Sequence, residues 1–162
     1  MADIRLVRID FRLMHGQVVV NWLRQVSANH ILVVDGELAK DPFMRQVYKM
    51  AAPSDVKVTI TSPEDALEKI QSGAYKASKF LVLFKSVTKA KNAFDMGFPI
   101  PELQVGGLGS GTGKKAVVNQ IFLDKKEAQD LVDIQAKGTK VYFQTVPKDE
   151  PVALEKVIDK IF

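Results

Sequence analysis

Ten consecutive residues, Arg8-Ile9-Asp10-Phe11-Arg12-Leu13-Met14-His15-Gly16-Gln17, place Arg8, Asp10, Arg12 and His15 within one short segment. A histidine whose pKa lies near ~6.5 is largely neutral at pH 7, so one ring nitrogen can attack an electrophile. A neighbouring cation favours that neutral form. Arginine grips a tetrahedral oxyanion with its rigid fork of donors. Aspartate can fix a histidine tautomer or hold an arginine in place. Together the parts suit a histidine that accepts and donates a phosphoryl group, a reaction that needs mainly positioning and charge stabilisation. The same residues would also serve as polar surface, with Arg8–Asp10 or Asp10–Arg12 as simple ion pairs.

Other residues offer weaker chemistry. Gly106 to Gly113 holds five of the ten glycines, and such a loop can cradle phosphate with backbone N–H groups. It departs from a Walker A loop, because Leu108 stands where the first glycine belongs and Lys115 takes the Ser/Thr place. Gly111-x-Gly113-x-x-Ala116 meets the spacing of a dinucleotide fingerprint, but a strand rather than a helix is expected to follow. His30 opens an apolar run and reads as structural. Asp35 ends that run without the acidic pair of a phosphoacceptor aspartate. Trp22 on the first helix reads as core packing, as single tryptophans usually do, with Asn21 and Trp22 as alternative partner contacts; Thr61, Lys85 and Ser86 stand at strand ends that would line the site.

Composition narrows the field. The 162 residues contain no cysteine, which excludes disulfides, thiolate metal sites and a cysteine nucleophile. Two histidines leave little for a metal site, so no metal and no cofactor is expected. The 23 Lys and Arg against 19 Asp and Glu leave +4, spread without the basic run a nucleic-acid partner would select. The longest apolar stretch, Phe80 to Phe84, is far short of the ~20 residues of a membrane span. A cytoplasmic protein without nucleic-acid partner is expected, with 1–162 as a single domain.

The elements that must position these residues follow from periodicity and punctuation. Strands are expected at Ile4–Ile9, Ile31–Val34, Val56–Ile60, Phe80–Phe84, Leu103–Val105, Val117–Leu123 and Lys140–Val146. Between the first two, Val18, Trp22 and Val26 recur at helical spacing. Asp41-Pro42 and Ser62-Pro63 mark helix starts, Ser86 is a further cap, and Asp124 with Glu127 has capping-box spacing. Gly73, Gly97 and Gly138 mark helix ends, and a last helix runs from Pro151 to Ile161. The alternation implies an α/β fold: three layers, α/β/α, with an open, mostly parallel sheet of six to seven strands and helices on both faces. Ligands of such sheets sit outside the carboxyl ends of the strands at a topological switch point, and the segment Asp10 to Gly16 occupies such a loop.

The string from Arg8 to Val18 resembles the hallmark of the enzyme IIB subunit of the mannose/fructose/sorbose family, part of the bacterial phosphoenolpyruvate-dependent sugar phosphotransferase system. Ile31 to Asp35, Val105-Gly106-Gly107 and Val117 through Gly138 are similar too, so the likeness spans nearly the whole chain. The resemblance implies a phosphoryl carrier. It would take the group from a histidine of the IIA protein and pass it to a sugar entering through the membrane subunits IIC and IID. It implies His15 as the phosphorylated residue and Arg12 as its phosphate-stabilising arginine. Asp10, Gly16 and Gln17 match the motif as supporting residues, and Gly106 and Gly107 are expected to line the site. Phe11 stands where relatives often carry a polar residue, and would face a partner. The location implied is cytoplasmic, held at the inner face of the membrane through IIC and IID. Two alternatives stand beside it: a flavodoxin-like module that binds a nucleotide or cofactor through the glycine-rich loop, and a basic interaction protein. The sugar and any homo-oligomer are not legible in the chain.

Overall fold

The computed structural model describes residues 2–162. Its strands are β1 (Asp3–Asp10), β2 (His30–Val34), β3 (Lys57–Thr61), β4 (Lys79–Phe84), β5 (Glu102–Gly107), β6 (Lys115–Val118), β7 (Ile121–Leu123), β8 (Lys140–Phe143) and β9 (Val152–Ala153). The helices are α1 (Gly16–Val26), α2 (Gly36–Ala39), α3 (Pro42–Ala51), α4 (Pro63–Ser72), α5 (Val87–Asp95), α6 (Lys125–Ala136) and α7 (Leu154–Ile161). One sheet runs in the order β3-β2-β4-β1-β5-β8-β9, and β6 pairs with β7 in a separate hairpin. Every pairing in the large sheet is parallel except β8 with β9.

Side chains alternate across the sheet and fill two cores. Leu6, Ile31, Val33, Leu81 and Leu83 pack under α1, against Val19, Trp22 and Leu23. Val7, Ile9, Leu32, Phe80, Val82 and Phe84 point the other way, toward α4 to α7. Because β4 lies between β2 and β1, all five residues from Phe80 to Phe84 are fully buried. Each such side chain contributes roughly 1.5–3 kcal/mol through burial, which is why an unbroken apolar run is stable there.

The helix starts are set by local chemistry. Asp41 accepts from the Met44 N–H at 3.0 Å, Ser62 from Asp65 at 3.2 Å and Ser86 from Lys89 at 3.1 Å. Asp124 and Glu127 form the full reciprocal box, at 2.7 and 3.0 Å. Three expectations need correction. The run Val117–Leu123 is not one strand: Asn119 adopts φ +40° and folds it into the β6–β7 hairpin off the main sheet. The last helix starts at Leu154 rather than Pro151, because Val152–Ala153 first pair with β8 as an antiparallel edge. The strand expected to reach Val146 ends at Phe143, where backbone carbonyls turn to other partners.

The topology puts one loop in a special place. From β1 the chain moves outward to β2 and β3, returns to β4 beside β1, then crosses to β5 on the other side. The connections therefore diverge around β1, and its carboxyl end is a topological switch point, the place where such sheets receive ligands. That end carries Asp10 to His15.

Candidate functional site

The loop after β1 is pinned from below and open above. Leu13 and Met14 are buried, while His15, Gly16 and Gln17 are exposed. Two left-handed residues, Leu13 at φ +52° and Gly16 at φ +45°, turn the chain so that His15 stands at the start of α1. Leu13 bears that conformation at a cost of roughly 1–2 kcal/mol, offset by burial of its side chain. The helix has no side-chain cap and no acidic residue in its first turn. Its unpaired N–H groups and positive dipole end thus meet the solvent beside His15, an arrangement that favours an anion.

Beneath the loop lies a buried charge cluster. The Asp10 carboxylate accepts through Oδ1 from the Arg12 backbone N–H at 3.0 Å and from Arg12 Nε at 3.1 Å. Through Oδ2 it accepts from Arg8 Nη2 at 3.0 Å and Arg12 Nη2 at 3.3 Å. Arg8 is 2% exposed and Asp10 1%, whereas Arg12 is 20% exposed at its side chain and reaches the surface. Burial pushes the Arg8 guanidinium below its ordinary pKa, and the Asp10 charge opposes that shift. Arg8 further donates through Nη1 to Gln104 Oε1 and the Gln144 carbonyl, and through Nη2 to the Thr145 carbonyl. Phe11, half exposed, lies against Gly109 and under the Arg12 guanidinium, 5.4 Å from its ring centre.

The structure brings Asp10, Arg12 and Gly107 together: a Cβ on Gly107 would stand 3.0 Å from Arg12 Nη2 and 3.1 Å from Asp10 Oδ1. Gly106 faces Arg8 instead, at a distance that leaves no room for a side chain. Gln17 donates along the helix to Asn21 Oδ1 at 2.9 Å. A Cβ at Gly16 would meet open space, so its glycine answers to φ rather than to crowding. Asp35 caps α2 and pairs with Lys89 at 3.4 Å. Thr61 gives its carbonyl to the Asp35 N–H, and Ser86 is spent on capping α5. His30 lies at the opposite end of the parallel sheet, bonded to Ser78 and Thr59 at 2.9 and 2.7 Å, with its ring tilted against Phe80 at 4.5 Å between centres. Trp22 is buried and donates to the Thr145 carbonyl at 2.9 Å. Beside it, a groove of ≈ 600 Å³ separates Asn21, Arg24 and Gln25 from Val146, Pro147 and Lys148.

Sequence reasoning missed Gln104 and the carbonyls of Gln144 and Thr145. A lone polar residue within Leu103-Gln104-Val105 was the available signal, as was Arg8 between Val7 and Ile9, because such residues in a buried strand need partners. Backbone carbonyls leave no trace in residue types. The glycine-rich loop runs into the β6–β7 hairpin rather than directly into a helix. The nucleotide-binding alternative thus lacks the strand–loop–helix connection that such a fingerprint uses.

The protein is thus an open, doubly wound α/β sheet that exposes a histidine in its switch-point loop, three residues after an arginine held by a buried carboxylate. The family described as "PTS system sorbose subfamily IIB component" matches residues 4–161, and the chain belongs to that family. It is a phosphotransferase component of sugar import. The chain is 28% identical over 159 residues to the sorbose-specific EIIB component of Lacticaseibacillus casei, covering 98% of this chain and 97% of that one. It is 27% identical over 158 residues to the mannose-specific EIIAB component of Escherichia coli K12, covering 98% of this chain and 49% of the relative. Among solved structures it resembles manxB from Thermoanaerobacter tengcongensis, at TM-score 0.90 and 33% identity, covering 100% and 98% of the two chains. The IIBSor domain of the Klebsiella pneumoniae sorbose permease matches at TM-score 0.91 and 28% identity, covering 99% of each. Among the described residues no helix is long and apolar enough to cross a membrane.

Proposed function

We propose that His15 carries the phosphoryl group. A ring nitrogen of His15 attacks the phosphorus of a IIA phosphohistidine in line. The new N–P bond forms as the old one breaks, and the IIA imidazole leaves with its electron pair. Arg12 and the open start of α1 stabilise the equatorial oxygens, while Asp10 holds Arg12 in position. Gly107 gives the Asp10–Arg12 pair room. Gly16 and Gln17 contribute the first helical N–H groups, and Gly106 acts at one remove by admitting Arg8. In the return step a sugar hydroxyl oxygen attacks the phosphorus as the N–P bond breaks, and the hydroxyl proton passes to the departing ring nitrogen, which leaves His15 neutral.

The observation that carries the reading is the placing of His15: exposed, at an uncapped helix start, in the same loop as an arginine gripped by a buried carboxylate. An exposed acceptor suits exchange between two proteins, because the donor and acceptor ring nitrogens must line up on opposite sides of the phosphorus. Residues 1–162 act as a single IIB unit in the cytoplasm, held at the membrane by IIC and IID. The sugar belongs to the class named for the relatives: sorbose, mannose, fructose or N-acetylgalactosamine. The test is reconstitution with phosphoenolpyruvate, enzyme I, HPr, a cognate IIA and membranes bearing IIC and IID. Sugar phosphate should form with the chain and not with His15→Ala. Equal formation with the variant would refute the proposal.

A further inference from the structure

We infer that Arg8 is a positioning residue for phosphoryl transfer, fixing the carboxylate that aims Arg12 and tying the segment after β8 to the same point. The inference rests on the reading of His15 above. Arg8 does not touch the phosphoryl group, since it is 2% exposed and lies beneath the loop. Its guanidinium is instead enclosed on every side. Trp22 covers one face, with its ring centre 5.5 Å from the guanidinium carbon. Gly106 covers the other, where a Cβ would fall 2.0 Å from that carbon. The edge donates to Gln104 Oε1, the Gln144 carbonyl at 3.1 Å, the Thr145 carbonyl at 3.0 Å and Asp10 Oδ2 at 3.0 Å.

Stability alone does not account for this arrangement. Burying a charge costs several kcal/mol, and well-packed apolar residues of equal volume are often no less stable than a buried ion pair. What arginine supplies is geometry. Asp10 Oδ2 is held from below by Arg8 Nη2 and from above by Arg12 Nη2, so the carboxylate cannot rotate and Arg12 keeps one orientation. The Thr145 carbonyl accepts from both Arg8 and Trp22, and the Gln144 side chain donates to the Asp149 carbonyl at 2.9 Å. The segment from Thr145 to Asp149 and helix α1 are thereby set against one guanidinium, directly under the loop that bears His15.

Two variants perturb this feature from opposite sides while leaving Asp10, Arg12 and His15 in the chain. Arg8→Lys keeps the charge and loses the fork. Gly106→Ala keeps the arginine and displaces it, because the new Cβ overlaps the guanidinium. Single-turnover transfer from phosphorylated IIA to the full chain should show a maximal rate lowered about tenfold or more, with the half-saturating IIA concentration unchanged within about twofold. Emission from Trp22, the one tryptophan, should shift in both variants, and the label should still arrive on His15. A folded Arg8→Lys or Gly106→Ala chain with the unaltered maximal rate would overturn the inference. Should both fail to fold, Gln104→Met, which removes a single partner of Nη1, should lower the rate about threefold, and an unchanged rate would overturn it equally. Label found away from His15 in the unaltered chain would overturn the underlying reading instead.

Discussion

Replacing Asp10 by asparagine changes one atom and reverses the chemistry of the cluster. The side chain is 1% exposed and its two oxygens accept four hydrogen bonds, one from Arg8 and three from Arg12. In Asp10→Asn, Oδ1 can still accept from Arg12. The amide NH2 then meets the donors Arg8 Nη2 and Arg12 Nη2, and Arg8 is left buried without a counter-charge. Removing one partner of a buried pair costs about 3–5 kcal/mol. In a chain of 162 residues, 1 kcal/mol shifts the unfolding midpoint by roughly 2–4 °C, so a fall of about 6–20 °C is expected. The surface pair Arg5–Asp3 is a built-in control, because its 2.9 Å separation matches that of the buried pair while its side chains are 34% and 46% exposed. Asp3→Asn should move the midpoint by no more than about 4 °C, since exposed pairs contribute ~1 kcal/mol at most. Thermal unfolding followed by circular dichroism measures both. If Asp10→Asn unfolded within about 2 °C of the unaltered chain, the reasoning that Asp10 neutralises a buried arginine would be wrong.

Three further outcomes can be checked. His30 has its pKa lowered to about 4, chiefly by burial and then by Lys57, so the folded state prefers the neutral ring. The unfolded chain binds the proton more readily. Stability should therefore be full above pH ~6.5 and fall as the pH drops toward 4, by at most about 1.4 kcal/mol per pH unit; His30→Gln should flatten that slope in urea titrations. Phe11→Asp should leave the unfolding midpoint nearly unchanged, because Phe11 is 42% exposed. It also sets a carboxylate beside Arg12, and transfer from IIA should weaken; identical transfer kinetics would remove Phe11 from the functional surface. Asp124→Ala should cost about 1 kcal/mol by opening the capping box of α6, read from the denaturant midpoint, with phosphoryl transfer unaffected.

The fold was legible where signals are local. Asp41-Pro42, Ser62-Pro63 and the Asp124–Glu127 pair each fix a helix start through bonds within three residues, so their elements stand where residue types placed them. Phe80 to Phe84 announced a strand covered on both faces because only burial tolerates such a run. The β6–β7 hairpin was hidden inside an apolar stretch, since its turn depends on Asn119 entering a left-handed conformation rather than on a Gly pair. The two-residue β9 exists only because β8 offers it an edge. At the site, Arg8, Asp10, Arg12 and His15 stood out by type and spacing. Their order of depth did not, because it follows from partners about 96 to 137 positions away: Gln104, Gln144 and Thr145. Gly106 and Gly107 mark, by residue type alone, backbone that could meet phosphate. Their placing beside the two arginines and Asp10 emerges only when β5 lies next to β1.

The most direct test of the account is to phosphorylate the chain with phosphoenolpyruvate, enzyme I, HPr and a cognate IIA, and to map the product by mass spectrometry under alkaline conditions. A single acid-labile, base-stable phosphate on His15, absent from His15→Ala, is the predicted result. A phosphate on His30 or on a carboxylate, or one that persists in His15→Ala, would contradict it.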